Sequence, residues 1–327
     1  MLPTPSPFLT QPDKIVLDNL LRDAQPPTDA KDDDDQDDAD ADKAALERVL
    51  SLSDPNSAHF SPTLFTSWDS PTTTPFPPRL LNTYTKWAQS IIRHPTDIVF
   101  LTHTLLYLFT SFPSALYLFH NFTYPHALAH LAMTAYYSGA FTIMLHNHIH
   151  NGGVLAKGYA FLDRAVPYVL EPLMGHTWDS YYYHHVKHHH CEGNGPDDLS
   201  STIRYQRDSI LHFSLYVLRF LFLVSIELPL YFVRKGRYGL LVKSVLSELA
   251  SYTFMVAMTR LNPRAALFVL ILPFVGMRCG MMVGNWGQHA FVDEDDPDSN
   301  FRSSITLIDV PVSPPTQTLD FKIFNLI

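Results

Sequence analysis

Between residues 98 and 122 the chain carries no Asp, Glu, Lys or Arg, and Leu, Phe and Tyr dominate it. About 20 apolar residues let a helix cross the hydrocarbon core of a bilayer. Lipid offers the backbone no hydrogen-bond partners, so such a stretch is expected to be helical. Residues 126–145 repeat the pattern after Pro125, which predicts a helical hairpin, and three more apolar stretches follow at 210–233, 240–258 and 265–283. Residues 79–97 and the broken segment 159–174, with Asp163, Arg164, Pro167, Glu171 and Pro172, read as interfacial helices. The expected fold class is an all-α integral membrane protein with about four transmembrane helices, interfacial helices and a disordered acidic N-terminal tail.

That tail explains the charge. Of a net charge of −9, eight units sit in residues 1–50, and the run from Asp32 to Asp42 has no apolar residue larger than Ala. Such a run cannot bury enough surface to offset the entropy of ordering it. Residues 53–78 are rich in Pro, Ser and Thr, so residues 1–78 as a whole are expected to be disordered, ahead of a membrane domain over 79–310 and an atypical tail over 311–327. The N-terminus has no basic segment leading into an apolar one, so no cleaved signal is expected. With only Cys191 and Cys279, no disulfide framework is expected. No basic patch for nucleic acid and no phosphate-cradling glycine loop occurs.

Seventeen histidines are present, and their placement matters more than their number. His146, His148 and His150 close the second apolar stretch. On a continuing helix His146 and His150 share a face, a spacing that lets two imidazoles reach one metal. His184, His185, His188, His189 and His190 form a second group, and Asn285 and His289, again four apart, follow the last apolar stretch. Imidazole suits iron, zinc, copper and nickel alike, so histidines alone do not name the metal. His126 and His130 also lie four apart, but at the far end of the second stretch, and are expected to be structural. His176 is a candidate for supporting contacts.

These elements resemble the histidine boxes of the integral membrane fatty acid desaturase/hydroxylase superfamily, the di-iron membrane oxidoreductases. His146 and His150 match the first box. The second box reads in two registers, His185 with His188 and His189, or His185 with His189 and His190. The latter register, followed by Pro196-Asp197-Asp198, is similar to the membrane alkane hydroxylase branch. Asn285 and His289 resemble a further element of the superfamily in which the histidine binds iron. The resemblance implies metal ligation by His146, His150, His185, His188, His189, His190 and His289, supported by Asn285, Asp197 and Asp198, with Asp179, Asp293 and Glu294 as further candidates. It implies two non-haem iron ions, dioxygen as co-substrate and a lipid or fatty acyl chain as substrate. It also implies electrons from a small haem protein or a ferredoxin with its reductase. The location implied is a multi-pass membrane protein, in the endoplasmic reticulum if eukaryotic, with the boxes on the cytosolic face. The family carries another HxxHH downstream, whereas no histidine follows His289 here, so the domain is expected to lack its C-terminal part. The competing readings are a metal-binding or metal-transporting membrane protein and an inactive truncated relative.

One centre served by both His150 and His289 requires an even number of crossings between them. Glu227 and Pro229 mark residues 210–233 as the expected non-crossing element. That choice puts Arg234, Lys235, Arg237 and Lys243 on the histidine side, in keeping with the cytoplasmic preference of basic clusters.

Overall fold

The structure is a computed structural model that describes residues 11–23, 34–54, 56–60, 64 and 76–289. No β-strand is assigned among these residues, only an isolated antiparallel bridge between Ile92 and Leu155. They fall into two compact units, one reaching residue 103 and taking in 154–157, the other holding residues 104–153 and everything described from 158 onward.

The first unit begins with two helices, α1 (Gln11–Asp23) and α2 (Asp34–Ser53). Both lie inside the region expected to be disordered. The acids of α2 crowd its first half, where they complement the positive end of the helix dipole, and the helix-forming run from Lys43 to Leu50 carries it onward. Asn19 and Arg22 of α1 both bond the Asp42 carboxylate. The remainder of the N-terminal region lies largely outside the described residues, as do Asp293, Glu294 and the tail at 311–327. The expected interfacial element at 79–97 is helical as α3 (Pro78–Gln89), in which the Tyr84 hydroxyl lies 2.6 Å from that of Thr102.

Among the described residues, four helices are long and apolar enough to cross a membrane: α4 (Ile98–His120), α6 (Ile210–Arg234), α7 (Tyr238–Leu261) and α8 (Pro263–Gln288). Between the first two lies α5 (Tyr124–Asn151), whose 28 residues exceed a bilayer's thickness but include His126, His130, Thr134, Ser138 and Thr142. By length and hydropathy this set takes in residues 210–234 and leaves out the expected span 126–145, while His150 and His289 on one membrane face still require that α6, α7 and α8 do not all cross. The charge that argued against α6 is masked, because Arg219 donates to Glu227 at 2.9 and 3.1 Å two turns along the same helix. Pro229 leaves the helix unbroken.

In the second unit, α4, α5 and α8 meet through small residues, with Ala115, Ala127 and Ala265 buried beside Leu118, Val269 and Leu270. Lipid tails are as apolar as Leu, so helices in a bilayer gain by close backbone approach and by polar contacts rather than by apolar burial alone. Asn262 supplies one such contact, donating to the Phe119 carbonyl at 3.3 Å. The segment expected as an interfacial helix at 159–174 is broken into single turns at Lys157–Tyr159, Ala160–Asp163, Val166–Val169 and Pro172–Met174. Pro167 and Pro172 each open a new turn there, consistent with the preference of proline for helix starts.

Candidate metal centre

α5 delivers the first two histidines and then stops. Gly152 adopts a left-handed φ of 65° and its N–H returns to the His148 carbonyl, a conformation that costs other L-residues energy. His146 and His150 are thus held on the last two turns of a long helix, with ring centroids 4.5 Å apart.

The second histidine group lies on a π-helix, Tyr182–His189, and not on an α-helix. In a π-helix the backbone bond runs from residue i to i+5, so residues five apart stack on one face. The His190 N–H accordingly reaches the His185 carbonyl, and the Nε2 atoms of the two side chains lie 2.9 Å apart. His146, His150, His185 and His190 converge, with one donor nitrogen from each inside a span of 4.8 Å. Tyr181, just before the π-helix, stacks on His185 at 4.9 Å and places its hydroxyl 3.2 Å from His146 Nδ1. Burial pushes the His185 imidazole well below its ordinary pKa, and burial with the neighbouring imidazoles lowers His190 to about 4. Both rings are therefore neutral, the form in which imidazole binds metal.

A second group of imidazoles surrounds Asp198. That carboxylate is fully buried and accepts from His189 Nδ1 at 2.7 Å, from the backbone N–H of Asn194 and Ser200 at 3.0 and 2.8 Å, and from Ser200 Oγ at 2.7 Å. Burial alone would raise its pKa, but the bond from His189 and the fields of His188 and His184 outweigh that and hold the carboxyl below its usual range. His188 is used by the loop. Its Nε2 accepts the Leu199 N–H at 3.1 Å and its ring packs edge-on to Tyr231 at 4.5 Å. His289 lies 6.0 Å from His189, ring to ring, and its carbonyl accepts from Thr202 Oγ1 at 2.9 Å. His184 Nε2 is buried with no hydrogen-bond partner among the described residues.

Other residues singled out from the sequence go elsewhere. Asp197 is exposed and pairs with Lys235 at 2.9 Å. Asn285 donates to the Ser200 carbonyl at 2.9 Å and to the Tyr216 hydroxyl at 2.7 Å, so it braces the 193–202 loop. Asp179 gives its N–H to Glu171 Oε2 at 2.8 Å. His126 and His130 both bond Ser114 Oγ at 2.9 Å, away from the cluster. His176 is half-buried, its ring 6.0 Å from that of Phe141 and 5.4 Å from that of Tyr181. Tyr181 and His184 carried no role in the sequence reading. The run Tyr181-Tyr182-Tyr183 against a histidine block was the signal for the first.

A family model described as fatty acid desaturase matches residues 121–316, which takes in every histidine described above. The chain belongs to the fatty acid desaturase family. No curated protein and no solved structure matches it. As a member of this family the protein is a membrane-associated, lipid-modifying oxidoreductase, and its histidine cluster fits a metal site.

The donor set fits a metal that imidazole binds, iron among them. Imidazole–metal bonds of about 2.1 Å put opposite ligands at most about 4.2 Å apart, so donors within 4.8 Å need to close in only slightly. No carboxylate competes within the group of four. At the second group, the bond to Asp198 Oδ2 fixes His189 through Nδ1 and leaves Nε2 as its outward donor, an arrangement that orients metal-binding imidazoles.

Proposed function

We propose that this desaturase family member is an oxygen-dependent oxidoreductase acting on a fatty acyl or related lipid chain, with desaturation favoured over hydroxylation. The observation that carries the reading is the convergence of His146, His150, His185 and His190 from two separate elements onto one point. These four would hold one iron. His189, oriented by Asp198, and His289 would contribute to a second. When bound, the iron supplies the dioxygen chemistry needed to take hydrogen from an unactivated C–H bond.

The chain's own residues do the rest. Gly152 ends α5 so that His146 and His150 stay on its last turns. The Tyr181 hydroxyl fixes the His146 ring through Nδ1, leaving Nε2 turned toward the group of four. Burial keeps His185 and His190 neutral, so metal entry does not require removing a proton from them. The apolar α4, α6, α7 and α8 support placement of the lipid chain within the bilayer, next to histidines at helix ends. Two proposals extend beyond the family: that the boxes face the cytosol, in the endoplasmic reticulum if the protein is eukaryotic, and that a small haem protein or a ferredoxin with its reductase supplies electrons.

The test is iron analysis of the full chain in lipid nanodiscs, followed by product analysis after supply of dioxygen, electrons and acyl substrates. Histidine-ligated iron and an unsaturated product support the proposal. A protein that takes up zinc or copper but no iron, and leaves every acyl substrate unchanged, points instead to the metal-binding reading.

A further inference from the structure

α7 is long and apolar, yet its two buried residues are Ser244 and Ser251. With Ser247 and Glu248 they occupy positions i, i+3, i+4 and i+7, a single face of the helix. That face grips one short segment. Thr177 Oγ1 donates to Glu248 Oε1 at 2.6 Å, the Trp178 N–H donates to Ser251 Oγ at 2.9 Å, and Ser247 Oγ donates to the Trp178 carbonyl.

Glu248 is itself braced from two other helices. Arg278 of α8 donates to Glu248 Oε2 at 3.2 Å, and Ser225 of α6 donates to the same oxygen at 3.0 Å. Tyr252 closes the network, its hydroxyl 2.7 Å from Ser225 Oγ and 3.2 Å from Arg278 Nη2. An ion pair among helices apolar enough to span a bilayer is costly to keep, and such groups are usually retained for function. Two residues before Thr177, Gly175 presses on α8 with a φ of 84°, and a Cβ there would lie 2.2 Å from the Pro273 carbonyl.

The gripped segment leads straight into the metal-site helix. The Ser180 N–H and hydroxyl both return to the Thr177 carbonyl at 3.0 and 2.8 Å, the Tyr183 N–H bonds the Asp179 carbonyl at 3.1 Å, and the π-helix then begins. We propose that Glu248, held by Arg278, together with Ser247 and Ser251, are positioning residues. They fix Thr177 and Trp178 inside the bundle and so set where the π-helix presents His185 and His190. The inference rests on the reading of the four histidines as a metal site.

The test uses the full chain in nanodiscs with cobalt(II) alone as probe, plus amide exchange of residues 181–190 measured without metal. Thr177→Val and the double variant Ser247→Ala/Ser251→Ala are expected to keep their helical content but bind cobalt about 10-fold more weakly. Their cobalt ligand-field bands should shift and their amides should exchange faster. Glu248→Ala should behave the same way, and Glu248→Gln, which retains an oxygen for Thr177, should recover toward the unsubstituted protein. Thr253→Val, on the exposed face of α7, should change nothing. Cobalt binding and exchange identical to the unsubstituted protein in the first two variants would overturn the proposal, as would an equal change in Thr253→Val. Absence of cobalt binding by the unsubstituted protein would sink the metal reading itself, while the exchange measurement would still decide whether α7 positions the π-helix.

Discussion

The two histidine groups use the same side chain in opposite ways. In the group of four, the imidazoles come from the end of α5 and from the π-helix, their nitrogens converge, and no carboxylate lies among them. Around Asp198 the imidazoles are partly consumed by architecture: His189 and the backbone of the 193–202 loop all bond one buried carboxylate, and His188 caps Leu199. The lesson is that histidine density does not distinguish a ligand from a strut. The partner of each ring nitrogen does.

The comparison breaks most visibly at Asp198. Asp198→Ala removes the hub of the second group and leaves His189 and two backbone donors without an acceptor. It should cost about 1–3 kcal/mol of stability for each buried donor it strands, the penalty of leaving such a group unsatisfied. Thermal unfolding in detergent measures that loss. Metal bound by the group of four should survive in whatever fraction stays folded, because none of those four side chains bonds Asp198.

A smaller effect sharpens the first group. Tyr181→Phe keeps the stacking on His185 but removes the hydroxyl at His146 Nδ1. Loss of such an outer contact should weaken metal binding by about 10-fold with little change in melting temperature. Competition against a coloured chelator would read it, and unchanged affinity would show that His146 needs no such brace.

The smallest effect separates the neighbourhood of the groups from the groups themselves. Glu171 is fully buried, and burial, reinforced by Asp179, holds its carboxyl well above the ordinary range, so in the folded protein it stays protonated. A raised folded pKa favours the folded state fully below the unfolded value near 4.5, and that advantage declines as pH rises toward the folded value. Glu171→Gln should therefore flatten the decline in melting temperature between mildly acidic and mildly alkaline pH, leaving metal binding intact. A decline as steep as that of the unsubstituted protein would mean that Glu171 ionises freely.

Much of this was legible in the sequence. Charge-free stretches predicted the helical membrane class, and the spacing of His146 and His150 at the end of an apolar stretch predicted two imidazoles on one face at a helix end. Two features were hidden for physical reasons. A π-helix moves the shared face from i+4 to i+5, so the partner of His185 is His190, and no composition signal marks that change of winding. Asp197 and Asp198 are adjacent and chemically alike, yet the loop turns one to solvent and Lys235 and buries the other. The polar face of α7 was likewise invisible, because serines in an apolar helix acquire meaning only when the segment they hold is known.

We propose that the metal sits among His146, His150, His185 and His190, while His188 belongs to the loop. Iron per chain, measured on purified His190→Ala and His188→Gln proteins in nanodiscs, tests it most directly. His188→Gln, which retains an acceptor for the Leu199 N–H, should keep the iron content of the unsubstituted protein, and His190→Ala should lose iron from this site. Retention of full iron by His190→Ala, with loss in a well-folded His188→Gln, would contradict it.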